Sequence, residues 1–178
     1  SDSTRVATFQ LGRENGGGSH DLLSKAVDLS AAHGLTHDVK KKDGWQNLGT
    51  YNRYQAEEFG RFVSKLKNTS EPSGEGNILD NTFAMHGSAS SSFHLSRNYP
   101  IISAGGKNLG FSNGRFLNYV GLREDGSLPG AGVISDAGWN SKVAEEEPPL
   151  AKLFVSILQR LGVETDSFAG YSGTLERV

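Results

Sequence analysis

Two short apolar runs, separated by a small polar loop, constrain this chain more than anything else in it. Thr82-Phe83-Ala84-Met85 and Tyr99-Pro100-Ile101-Ile102-Ser103-Ala104 both lie in the stretch Asn77–Lys107, NILDNTFAMHGSASSSFHLSRNYPIISAGGK. Neither has a helical period, and Asp80-Asn81, Gly87 and Gly105-Gly106 punctuate them. Uninterrupted runs of this kind suit strands covered on both faces, as in a parallel sheet. The expectation is an α/β fold of three layers, α/β/α, with a mostly parallel sheet. The intervening loop Gly87-Ser88-Ala89-Ser90-Ser91-Ser92 leads to His94. Open α/β sheets hold their sites on loops at the carboxyl ends of parallel strands, so His94 becomes a candidate.

Length bounds the rest. At 178 residues the chain is long enough for a real core and reads as a single α/β domain over 1–178. Eighteen basic residues against twenty acidic ones leave a net charge of −2, which is no electrostatic footprint for nucleic acid. No apolar run approaches the roughly 18 residues of a membrane span. The absence of cysteine excludes disulfides, thiolate metal sites and a Cys nucleophile. With no initiator Met and no signal peptide, Ser1 reads as a processed or trimmed start.

Arg5–Leu11 has strand composition and runs into the glycine-rich Gly12–Gly18. That loop lacks the Gly-Lys-Ser/Thr ending of a phosphate-binding P-loop and reads as a connection. Asp21–Ala32 fits a short helix loosely. Tyr51, Tyr54, Phe59, Phe62, Val63 and Leu66 form a stripe that predicts a helix over 50–67, with Asn47 or Thr50 as cap. Leu150, Leu153, Phe154, Ile157, Leu158 and Leu161 predict another over 149–161, opened by acidic residues and Pro148-Pro149 and ended by Gly162. Arg115–Val120 offers a short strand, and Val163–Val178 a capping loop.

Five histidines are candidates for chemistry: His20, His33, His37, His86 and His94. His33 and His37, with three residues between them, share one face if the segment is a helical turn, and can also chelate from a loop. Imidazole is the commonest neutral nitrogen ligand for zinc-like ions. Asp38 is a third ligand or the carboxylate that orients an imidazole. The pair lacks the glutamate of a zinc protease, so by spacing alone a pair of loop histidines bonded to backbone is the readier reading. His86 reads as a packed core histidine. Ser88, Ser90, Ser91 and Ser92 lack a G-x-S-x-G elbow and read as a solvated loop, and Arg97 as a surface residue.

The order LDNT, apolar run, GS, His94, Asn98-Tyr99-Pro100, apolar run and AGG resembles a family of exported bacterial proteins of unassigned function. That family is itself similar to the alkaline phosphatase and sulfatase superfamily. VATFQLGRE at 6–14, GLTHD and LGTYNRYQAEEFGRFVSKL within 34–66, and LQRLGVETDSF with SGTL within 158–175 agree with it. The match spans nearly this whole chain but only the C-terminal half of the family's proteins. The resemblance implies export under a twin-arginine signal, an alkaline-phosphatase-like sheet, and a partner in the form of an N-terminal half or second chain. It implies a divalent metal ion, zinc first, held by His33, His37 and His94 with Asp38 beside them. The superfamily's Asp-His pair would fall near Ala89-Ser90, which cannot bind such an ion. Its nucleophile would lie before this chain.

Two readings follow. One is an exported metal-dependent hydrolase of phosphate or sulfate esters. The other is a non-catalytic secreted binding or scaffold protein that needs further polypeptide. A nucleotide-binding module on Gly16–Gly18 is a distant third.

Overall fold

A computed structural model describes residues 5–10, 22–39, 41–88, 99–117, 150–175 and 178. The chain divides into two compact units, Ser1–Glu58 and Phe59–Val178. In the first lie helices α1 (Leu22–Ala26) and α2 (Ala32–Asp38) and the start of the long helix α3 (Gly44–Lys67). The second holds the rest of α3, strands β1 (Phe83–Gly87) and β2 (Ile101–Gly105), helix α4 (Leu150–Arg160), and strands β3 (Ser167–Phe168) and β4 (Tyr171–Ser172).

The three-layer, mostly parallel, alkaline-phosphatase-like expectation is wrong. The described strands form two antiparallel two-stranded ribbons, β1 with β2 and β3 with β4. Phe83 pairs with Gly105, Met85 with Ser103 and Gly87 with Ile101. The apolar runs were rightly read as strands, but a run without alternation carries no information about direction. Nor are both faces covered. Met85 is 41% exposed on one face and Ile102 49% on the other, which a strand inside a parallel sheet would not tolerate. The strand expected at Arg5–Leu11 is also absent over 5–10, where Val6 and Phe9 lie exposed with no pairing partner strand. Leu11 and the glycine-rich loop after it fall outside the described residues, as do residues 118–120 of the strand expected at Arg115–Val120, whose described residues 115–117 form no strand.

The LDNT motif does structural work. Ile78–Asn81 forms a 3₁₀ turn closed by a capping box, with Asp80 N–H donating to Asn77 Oδ1 and Asn77 N–H to Asp80 Oδ2. The Leu79 carbonyl accepts from Thr82 and from Gly106, 3.2 and 2.9 Å. Asn81 accepts from the Asn108 amide at 3.0 Å and donates to Glu71 at 3.0 Å. The two halves of the motif, LDNT and AGG, are therefore clasped across the ends of the ribbon. Gly105 has φ +83, and a Cβ there would lie 2.2 Å from the Thr82 carbonyl oxygen. Only glycine fits that approach.

On the ribbon's faces, Phe83 stacks on Phe111 at 4.1 Å, and His86 stacks on Phe59 of α3 at 5.4 Å. His86 is thus a packed histidine, as its place in an apolar run implies. Helix α4 buries Ala151, Val155, Ser156 and Ile157. Of its apolar stripe, Ile157 is buried while Leu161 stays 47% exposed. Gly162 and Val163 close it with bonds to Gln159 and Leu158, a Schellman end. Among the described residues no helix is long and apolar enough to cross a membrane.

Candidate functional site

The segment that carries His33 and His37 is helical. Leu35 N–H donates to the Ala31 carbonyl at 3.2 Å, and Thr36 Oγ1 donates to the His33 carbonyl at 2.7 Å. Leu35 is 1% exposed and anchors α2 by its apolar side. Helical spacing of 3.6 residues per turn then stacks residues 33 and 37 one above the other. Their rings lie 4.8 Å apart at an interplanar angle of 51°, and their Nε2 atoms meet at 3.2 Å. One ring must donate and the other accept across that contact, so the two imidazoles hold different tautomers while it persists.

That distance has a second meaning. Two nitrogens each about 2.05 Å from a zinc ion at a tetrahedral angle sit about 3.3 Å from one another. The bite of the pair matches that value with almost no movement of the backbone. What is needed is a proton shift from Nε2 to Nδ1 on the donating ring, with rotation of the two side chains to turn both Nε2 lone pairs off the line between them and toward one ion. The donor set, two neutral imidazoles, fits a borderline cation such as zinc rather than a hard one.

Asp38 closes the helix on a different course. Its carboxylate is ion-paired with Lys41 Nζ at 2.7 Å, an exposed pair one turn on. Its carbonyl accepts from Lys41 N–H at 2.8 Å, and a Cβ at Gly44 would lie 1.8 Å from that same oxygen. Helix α3 can therefore start against the end of α2 only with glycine there. Among the described residues no group of three or more His, Cys, Asp or Glu side chains is gathered to hold a metal ion. The structure brings together His33 and His37 and places Asp38 with Lys41. His94 and His20 lie outside the described residues, with Ala89, Ser90, Ser91, Ser92 and Arg97.

The second unit carries a concavity that sequence reasoning passed over. It has a volume of about 280 Å³ and is lined by Ser156, Gln159, Arg160, Thr174 and Leu175. Its polar groups are turned to the protein's own backbone. Ser156 Oγ donates to the Lys152 carbonyl and accepts from Leu175 N–H, 3.0 and 2.9 Å. Gln159 donates to the Thr165 carbonyl at 2.7 Å. Arg160 donates to the carbonyls of Gly110 and Val178 and lies over the Phe111 ring. These contacts dock Leu175 and Val178 on α4.

Comparison with family models, with curated proteins and with solved structures found no match to this chain.

Proposed function

We propose that this chain is a divalent-metal-binding protein in which His33 and His37 supply two ligands of one ion, zinc in the first instance. The observation that carries the proposal is the 3.2 Å separation of the two Nε2 atoms on adjacent turns of α2. An ion held there would polarise an ester oxygen or acidify a bound water, the chemistry of the alkaline phosphatase and sulfatase superfamily to which the resembled family is similar. His94 is proposed as a third ligand and Asp38 as the nearby carboxylate, both on the resemblance and the sequence order.

A second reading, a non-catalytic secreted binding or scaffold protein, is favoured by Ala89 and Ser90 standing where a second ion would need Asp and His. We propose accordingly that ester hydrolysis requires more polypeptide than this chain, in the form of an N-terminal half or a partner.

Calorimetric titration of the metal-free chain with Zn²⁺ tests the reading. One ion per chain is expected, with His33→Ala and His37→Ala each weakening binding at least tenfold, and His86→Ala leaving it unchanged. Binding that is indifferent to both helix substitutions would overturn it.

A further inference from the structure

We infer that metal binding and the formation of α2 are one coupled event, so that the ion orders this helix instead of docking on a rigid one. The inference rests on the reading of His33 and His37 as ligands. Helix α2 has seven residues, against the roughly 12–15 at which an isolated helix becomes even marginal in water. Its N-cap is Ala31, whose backbone (φ −54, ψ 136) suits a capping residue but whose side chain offers no acceptor. Gly34, in the first turn, adds backbone entropy that an alanine would not. Among the described residues of the helix, Leu35 is the buried anchor.

Against that weak local preference stands a strict geometric demand. Residues four apart in an extended chain are about 13 Å from one another, whereas one helical turn brings them into contact. The helical turn over residues 33–37 holds the two Nε2 atoms at 3.2 Å, within reach of one ion, whereas an extended chain draws them apart. An ion that binds one state of a two-state segment has its apparent affinity reduced by the fraction of chain in that state. By linkage it stabilises that state in return. Anything that populates α2 should then tighten metal binding without touching a ligand.

Two substitutions do this. Gly34→Ala adds a Cβ that meets no atom within 4 Å and removes the glycine penalty. Ala31→Ser supplies the missing cap. Each is expected to tighten Zn²⁺ binding severalfold in calorimetry of the full chain, up to about fivefold, the equivalent of about 1 kcal/mol. In the unsubstituted chain, Zn²⁺ is expected to slow amide hydrogen exchange at residues 35–39 severalfold, and His37→Ala to abolish that slowing. If zinc binds through His33 and His37 while both variants bind it as the parent does, or exchange in α2 does not change, the coupling is overturned and the metal site stands. If His37→Ala binds zinc as the parent does, the ligand assignment fails and the coupling falls with it.

Discussion

At the scale of single residues, the positions that decide most are those where backbone approaches backbone. Gly105→Ala would place a methyl group 2.2 Å from the Thr82 carbonyl at φ +83. The left-handed conformation alone costs about 1–2 kcal/mol, and the overlap adds to it. Chemical denaturation should show a loss of at least about 2 kcal/mol in the Phe59–Val178 unit, with β1–β2 pairing weakened. Gly44→Ala meets a comparable obstacle at the Asp38 carbonyl, 1.8 Å from the added carbon. It should displace the start of α3 from the end of α2, read as faster amide exchange at Lys41 and Gly44, whose N–H groups bond to Asp38 and Lys41 carbonyls. The Asp38–Lys41 ion pair, by contrast, is exposed, and Lys41→Ala should leave stability unchanged within a few tenths of a kcal/mol.

Among the elements, α4 is the best packed. Val155 is fully buried, and Val155→Ala should cost about 1–3 kcal/mol in thermal or denaturant unfolding, through lost contacts and the cavity left behind. Helices α3 and α4 were legible in the sequence because each repeats its apolar residues over several turns, and Gly162 marked the end of α4 correctly; α3, however, starts at Gly44, so Asn47 and Thr50 lie inside it and do not cap it. The strands β1 and β2 were legible as strands but not in their direction, since Phe83-Ala84-Met85 and Ile101-Ile102 alternate with nothing polar. The pairing is set by main-chain bonds and by the Leu79–Gly106 clasp, neither of which leaves a mark in side-chain pattern. The β3–β4 ribbon was missed for a different reason. Its strands have two residues each, and its turn is Ala169-Gly170, with φ +49 and +83. That geometry is the I′ kind that Asn-Gly would have signalled and that Ala-Gly does not. The histidine pair was legible from its spacing, while the choice between helix and loop was not, because seven residues with a glycine carry too little propensity to decide it.

For the whole molecule, antiparallel ribbons stand where the apolar runs led to the expectation of a parallel sheet. Among the described residues the ribbons offer no parallel strand edge, and the proposed histidine pair rests on the geometry of α2 itself. A two-imidazole chelate leaves coordination positions for water, a further side chain or a ligand, which is the arrangement of an open site. The most direct measurement is X-ray absorption fine structure on the zinc-loaded chain and on His37→Ala. The account predicts at least two imidazole nitrogens at about 2.0 Å in the parent and one fewer in the variant. The same imidazole count in both would contradict it.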